Sequence, residues 1–355
     1  MTMLAETVDA VIGIDTHRDS HEVEIADAAG RPITMMRIGN DCAGFTQLLT
    51  TIAQVAPGPR VAVCIEGTRS YGIGLARALA AAGLLMVECE QPSSKQRRGT
   101  GKSDPVDAHL AVLAALRLDA GRLPAPRADG DREALRILLV ARQEIRVART
   151  AQAARLRALL LTGADADRQA ARKALTQKCL AALAGRELPA DASREQTVRQ
   201  AEVRRLALAL DQARIQLKDN RGQLLAIVED LAPRLTSRYG IGPVSAAQAI
   251  VSFSHPGRCR SEAAFAALSG TSPVPASSGR TVRHRLNRGG DRALNCAIHA
   301  IAVSRIRSCP RTRAHAARRT AQGKTPRDIR RCPKRYIARE LYRQLTRSMN
   351  LPASP

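Results

Sequence analysis

Aromatic side chains are nearly missing from this chain: three Phe, four Tyr and no Trp in 355 residues. Its cores must therefore be built from Leu, Ile, Val and Ala, which a 45% hydrophobic content supplies. Long apolar runs are missing too. None approaches the roughly 20 residues of a membrane span, and the first residues lack the basic-then-apolar layout of a signal peptide. Those absences argue against a membrane partner and predict a cytoplasmic protein. Cys-x-x-Cys pairs are absent among the eight cysteines (Cys42, Cys64, Cys89, Cys179, Cys259, Cys296, Cys309 and Cys332). That argues against a zinc site and against a disulfide framework, and predicts reduced, mostly buried thiols.

Acidic residues are scarce. The chain has 32 Asp and Glu against 56 Lys and Arg, a net charge of +24. Arg predominates, and its planar fork matches phosphate geometry. From Arg280 to Pro355 there are 20 Arg and Lys against only Asp291, Asp328 and Glu340, which puts +17 in the last fifth of the chain. Such concentration points to a nucleic-acid surface rather than a solubility habit.

The acids that are present are placed. Asp15 ends the apolar run Val11-Ile12-Gly13-Ile14, and Glu66 ends Val61-Ala62-Val63-Cys64-Ile65. Asp104-Pro105 reads as a helix start, with Asp as cap and Pro as first residue. Asp107, three residues on, shares a helix face with Asp104. Ala10–Asp15, His21–Ala26 and Ile33–Ile38 read as strands of an antiparallel meander. A helix capped by Asn40 or Asp41 follows, then a strand Val61–Glu66, a helix Ser70–Ala82 and a strand Leu84–Val87. That order is the order of a ribonuclease-H-like α/β domain, in which Asp15 and Glu66 reach one edge of the sheet. Four clustered carboxylates repel unless a cation joins them, and Mg²⁺, a hard ion that prefers oxygen, suits them. His17, His21 and His109 lie near these acids in sequence. Gly101-Lys102-Ser103 imitates the end of a phosphate-cradling loop, but Gln96 stands where that loop needs glycine. Lys95, Arg97, Arg98 and Lys102 are instead expected to touch a phosphate backbone.

Two long helices are expected next, Asp131–Leu161 and Glu195–Leu231, with an ill-specified Ala-rich stretch, 162–193, between them. In the second, Val203, Leu206, Leu210, Ala213, Leu217, Asn220, Leu224, Ile227 and Leu231 fall at alternating spacings of three and four, a heptad seam with a register-setting Asn. The seam serves either an internal hairpin or a coiled coil between chains. Beyond it, Gly240-Ile241-Gly242 resembles a helix-hairpin-helix turn, whose backbone N–H groups hold phosphate without reading sequence. A helix Glu262–Leu268 leads to a Ser/Pro/Gly loop that holds Ser277 and Ser278. Arg280, Arg283, Arg285 and Arg288 follow, and a helix Arg292–Ile306 comes after Asp291. A hydroxyl among arginines suits phosphoryl chemistry.

The chain resembles the DEDD insertion-sequence transposases, recombinases guided by a bridge RNA. The resemblance rests on Gly13-Ile14-Asp15-Thr16-His17, on Glu66-Gly67-Thr68 with Tyr71-Gly72, and on Lys102-Ser103-Asp104-Pro105-Val106-Asp107-Ala108. Gly240-Ile241-Gly242-Pro243 and Ser278-Gly279 with its basic sequel extend it. Two departures stand out: Ser277 doubles the serine, and Thr271 replaces a Leu. The resemblance implies a RuvC-like domain over residues 1–125, a helical coiled-coil connector over 126–232 and a mainly helical transposase domain over 233–355. It implies Mg²⁺ held by Asp15, Glu66, Asp104 and Asp107, and a nucleophilic serine, Ser278 or its neighbour Ser277. It also implies donor and target double-stranded DNA, a structured guide RNA and a homo-oligomer, dimer or tetramer, as partners. Strand exchange would pass through a serine–DNA intermediate. The alternative from the same residues is a junction-resolving nuclease that uses water as nucleophile. A decayed, merely DNA-binding copy would not be expected to keep four acids.

Overall fold

The computed structural model describes residues 2–66, 68, 70–89, 104–277, 284, 285, 287 and 289–349, with backbone only at Glu66, Cys89 and Asp104. It divides into two compact units, residues 1–127 and 128–355.

The first unit is built on β1 (Ala10–Thr16), β2 (Ser20–Asp27) and β3 (Pro32–Gly39), followed by α1 (Cys42–Val55), β4 (Val61–Glu66), α2 (Ile73–Ala81), β5 (Leu85–Cys89) and α3 (Asp104–Leu116). The sheet order is β3-β2-β1-β4-β5. β1, β2 and β3 pair antiparallel, and β1, β4 and β5 pair parallel. β1 is central and buried on both faces, which is why its sequence is almost unbroken apolar. Ile12 and Ile14 pack on Leu48, Ile52, Leu75 and Leu79 of α1 and α2. Val11 turns the other way, to Ala111, Val112 and Ala115 of α3. Asp41 caps α1, its Oδ1 accepting from the Gly44 N–H at 2.8 Å. α2 starts three residues later than expected, because Ser70–Gly72 form a turn.

In the second unit α4 (Asp131–Leu161) is followed by α5 (Asp165–Arg172), α6 (Gln177–Ala184) and α7 (Arg194–Leu231). α7 opens on a complete capping box between Ser193 and Gln196. The heptad seam faces α4 of its own chain: Asn220 Nδ2 donates to the Leu138 carbonyl at 2.9 Å, and Arg142 Nη1 donates to the Leu217 carbonyl at 2.9 Å and to Asn220 Oδ1 at 3.3 Å. The internal hairpin, one of the two expected uses of the seam, is therefore present in the structure. Towards the seam's end the buried position shifts from Ile227 to Val228, and Leu231, the last expected position, is half-buried, the drift of a 3.6-residue helix against a 3.5-residue repeat. The stretch that was hard to specify folds as α5 and α6, placing Leu180 and Leu183 on Leu156, Leu160, Val203 and Leu206.

The remaining elements are α8 (Pro243–Phe253), α9 (Glu262–Leu268), a short ribbon of β6 (Val274–Pro275) and β7 (His284–Arg285), α10 (Arg292–Ser308), α11 (Pro310–Ala321) and α12 (Pro326–Met349). α8 is the centre of the core, against Leu294, Ile298 and Ile301 of α10 and Ile337 and Leu341 of α12. Leu135, Leu224 and Val228 join that core, so the root of the α4–α7 hairpin is built into it. The few aromatics gather here: the rings of Phe253, Phe265 and Tyr342 lie 6.0 Å apart in each pairing. α11 buries none of its residues, as the basic tail's composition predicts. Cys42, Cys179, Cys259, Cys296, Cys309 and Cys332 are free thiols, as expected, but Cys42, Cys296 and Cys332 are exposed, and Cys64 departs from the expectation in being disulfide-bonded.

Candidate active site and nucleic-acid interface

β1 and β4 run parallel with Gly13 beside Cys64 and Ile14 beside Ile65. One step further come Asp15 and Glu66, so the two acids end neighbouring strands at the carboxyl edge of the sheet, where open α/β sheets place their sites. Alternation then sorts the faces. Ile12 and Ile14 belong to the α1–α2 side, which assigns Asp15, like Val11 and Gly13, to the side covered by α3. Glu66 has the same alternation parity as Ala62 and Cys64, which also lie on the α3 side.

α3 lies unusually close to β1. A Cβ at Gly13 would fall 2.1 Å from the Ala108 carbonyl oxygen and 2.8 Å from Val112 Cγ2. Only glycine lets the helix settle there, and this contact brings the first turn of α3 down onto the strand that carries Asp15. Asp107 in that turn is 7% exposed and Asp15 is 9% exposed. Asp104 is the first residue of the helix, at the end whose dipole favours carboxylates. Among the described residues no three His, Cys, Asp or Glu side chains form a ready metal group; the side chains of Glu66 and Asp104 lie outside that set.

Three further groups join this face. Glu22 stands across from Asp15, and Glu24 across from Gly13, in the β1–β2 register. Glu24 is 1% exposed and its Oε1 lies 2.7 Å from His109 Nδ1. Glu22 pairs with Arg37 of β3. His17 Nε2 lies 3.2 Å from Asp15 Oδ2. The alternation that places Val23 and Ile25 on one face of β2 places Glu22 and Glu24 on the other; that α3 covers this other face is what the sequence alone does not show. His21, opposite Thr16, is fully buried and stacked on Phe45 with ring centroids 6.4 Å apart, and burial pushes its pKa below the usual value. Lys95, Arg97, Arg98 and Lys102 lie outside the described residues.

In the second unit Gly240 adopts φ +76° against α10, where Arg305 donates to the Tyr239 carbonyl at 2.8 Å. Gly242 is the N-cap of α8, with no side-chain cap and open space around it, so the uncapped N–H groups expected of the turn are present. Ser278, Gly279, Arg280, Arg283 and Arg288 lie outside the described residues, and Arg285 is exposed on β7. The segment that includes them is bracketed by described structure. Val274 pairs with Arg285 and Pro275 with His284. At its base Gly290 is pressed on Gly270, where a Cβ would fall 2.6 Å from the Gly270 nitrogen. α12 reaches both sides: Arg335 Nη1 donates to Ser272 Oγ at 3.3 Å and Arg331 Nη1 to the His284 carbonyl at 3.2 Å. Lys334 Nζ donates to Asn295 Oδ1 at 2.7 Å, and Asn295 Nδ2 to the Ser269 carbonyl at 2.7 Å. Burial lowers the Lys334 pKa from its ordinary value. Nothing in the spacing of these α12 cations along the sequence reveals a partner some 40 residues upstream or more.

Among the described residues no helix is long and apolar enough to cross a membrane. A comparison with curated proteins finds no match. Two protein-family models do match. Residues 12–163, which include all four acids, match a transposase model of the DEDD IS110 type. Residues 232–317, from the Gly240 turn through the serine segment to α11, match the Transposase IS116/IS110/IS902 family. The chain therefore belongs to the DEDD-type insertion-sequence transposases, DNA-processing recombinases for which the family implies dependence on a divalent metal.

Proposed function

We propose that this transposase exchanges DNA strands with a RuvC-like, Mg²⁺-binding first unit and a serine nucleophile in the second. The observation that supports the reading is the register that pairs Ile14 with Ile65, one residue short of Asp15 and Glu66, while Gly13 admits α3, whose first turn includes Asp107, onto β1. Asp15, Glu66, Asp104 and Asp107 would hold the metal; an oxygen-only donor set with two nearly buried carboxylates suits a hard divalent ion. When bound there, Mg²⁺ would supply positive charge to the phosphate under attack.

The serine step is written with its bonds balanced. Ser278 Oγ forms a bond to phosphorus as a deoxyribose oxygen leaves, and that oxygen takes up a proton as the serine loses one. Attack on the phosphoserine by the hydroxyl of a different strand then breaks the serine bond and forms the new phosphodiester, with no external energy source. Arg280, Arg283, Arg285 and Arg288 would meet the phosphate charge, and the uncapped α8 N-terminus at Gly242 a DNA backbone phosphate. Lys95, Arg97, Arg98 and Lys102 would hold a backbone in the same sequence-independent way. We read residues 126–232, nearly all of them in the second unit, as a connector and 233–355 as the transposase domain. The +24 charge supports donor and target DNA and a structured guide RNA as partners, and holding two duplexes requires a dimer or tetramer.

The test is to quench reactions of the full chain with cognate DNA in denaturant and look for covalently attached protein. Adduct is expected from the wild type with Mg²⁺ and from Ser277→Ala. None is expected with chelator, from Ser278→Ala, or from Asp107→Asn, which should still bind DNA. DNA cleavage by Ser278→Ala without adduct would establish water as the nucleophile instead.

A further inference from the structure

The α4–α7 hairpin carries a cavity of about 570 Å³ that the strand-exchange reading does not use. Its rim is cationic: Arg146, Arg149 and Arg157 from α4 and Arg214 from α7. Its floor includes Leu180 and Leu210, and among the described residues no carboxylate lines it. The three α4 arginines fall on one stripe of the helix at offsets of 3 and 8 residues, so their like charges face the same way, an arrangement that costs helix stability by itself. Elsewhere on the hairpin Arg199 is matched with Glu195, Arg205 with Glu202, Arg168 with Asp165 and Arg186 with Asp167, whereas Arg155, Arg194, Arg204 and Arg221 have no ion pair among the described residues but do not line the cavity. On the rim only Arg214 has such a partner, Asp211 at 2.9 Å. Among the described residues Arg149 and Arg157 make no ion pair or hydrogen bond, and Arg146 has only a long contact of 3.4 Å to Gln143. The crowding of cations extends one turn further, where burial first, and then Arg146 and Arg221, lower the pKa of Arg142.

We propose that this cavity is a phosphate-binding pocket of the connector that seats consecutive phosphates of one polynucleotide strand. The anion is a phosphate because unpaired guanidinium forks around a concavity match its oxygens and neutralise its charge. The ligand is a strand rather than a single ion because Arg146 and Arg157 stand eleven residues apart, about 16 Å along the helix. Recognition is of the backbone alone. Among the described residues no aromatic ring lines the cavity for stacking, and no Asn or Gln lines it to read a base edge. The pocket thus adds affinity and orientation without sequence preference. This proposal rests on the reading of the chain as one that handles nucleic acid.

The test is salt-dependent binding by the full chain carrying Arg149→Ala and Arg157→Ala. Both side chains are exposed and unpaired, so the fold should persist, checked by circular dichroism. Affinity is measured from low to moderate salt for single-stranded RNA and for duplex DNA. The plot of log affinity against log salt should become shallower by about 0.7 per arginine if the seated strand is single, or about 0.9 if it belongs to a duplex. Whichever ligand shows the change identifies the strand. A control with Arg194→Ala and Arg204→Ala, exposed positions of α7 that do not line the cavity, should change the slope by less than half as much. An unchanged slope on both ligands, or an equal change in the control, overturns the pocket while leaving the nucleic-acid reading intact. A wild-type chain with no salt-dependent affinity for either ligand would overturn the reading, and the pocket with it.

Discussion

A Cβ on Gly13 would stand 2.1 Å from the carbonyl oxygen of Ala108. This single approach joins the strand that ends in Asp15 to the helix turn that includes Asp107, so the candidate metal site depends on a residue that bears no functional group. Gly13→Ala should force α3 away from β1, because the clash is with backbone and no rotamer relieves it. Overpacking of this kind costs about 1–3 kcal/mol, and the upper end is expected here. Urea denaturation should show the loss, and metal-dependent cleavage should fall further than stability explains. A Gly13→Ala protein of unchanged stability would mean that the helix does not rest on the strand.

Glu24 is buried under α3 and meets His109, two residues past Asp107. Glu24→Gln keeps an acceptor for His109 Nδ1, whereas Glu24→Ala leaves it without one in a covered site. The alanine variant should lose about 1.5–3 kcal/mol, the range for a hydrogen bond to a charged group, and glutamine clearly less. Equal losses for the two would show that packing, not the His109 contact, is what Glu24 provides.

Acid should act through His21. Burial holds its folded-state pKa below the ordinary 6.5, so the unfolded chain takes the proton first as pH falls. The stability that comes from keeping this ring neutral is complete above pH 6.5 and declines as the pH drops toward the lower, folded value. His21→Phe keeps a ring against Phe45 and removes the titration. Its stability should fall less steeply than the wild type's between pH 6.5 and 5, measured by urea unfolding at each pH.

The seam of α7 is satisfied within the chain. Leu224 is fully buried in the core at the root of the hairpin, while its neighbour Leu225 is 39% exposed. Leu224→Ala should cost about 2–5 kcal/mol, and Leu225→Ala almost nothing. Leu210→Lys, which would place a charge in the α4–α7 interface, should melt the hairpin at any protein concentration. A concentration-dependent loss of assembly with the hairpin intact would reveal a seam shared between chains.

Legibility in the sequence followed the range of the forces involved. Local periodicity and caps located β1, β4, α4, α9 and the Asp41 cap within a residue or two, because strand burial and helix ends are written in neighbouring residues. The stretch 162–193 was illegible because α5 and α6 are held by Leu156, Leu160, Val203 and Leu206, partners in other helices. The acids at residues 15, 66, 104 and 107 stood out by type and position. Glu22 and Glu24 did not, since nothing in a strand's alternation tells which face a later helix will cover. For the same reason the sequence does not show that Arg331, Lys334 and Arg335 of α12 meet His284, Asn295 and Ser272.

Arg335 and Arg331 hold the two sides of the ribbon that brackets the serine segment, through Ser272 Oγ and the His284 carbonyl. If that ribbon sets where the serine stands, loosening it should impair attack more than binding, since displacement at phosphorus depends steeply on placement. Each bond is worth about 0.5–1.5 kcal/mol. Either alanine substitution alone should therefore slow adduct formation a few-fold, and the pair by about tenfold, with DNA affinity changed much less. Arg335→Lys keeps a donor for Ser272 and should recover part of the rate. Single-turnover kinetics at saturating DNA separate the two effects. A fall in affinity that accounts for the whole loss of rate would show that these arginines hold phosphate rather than the ribbon.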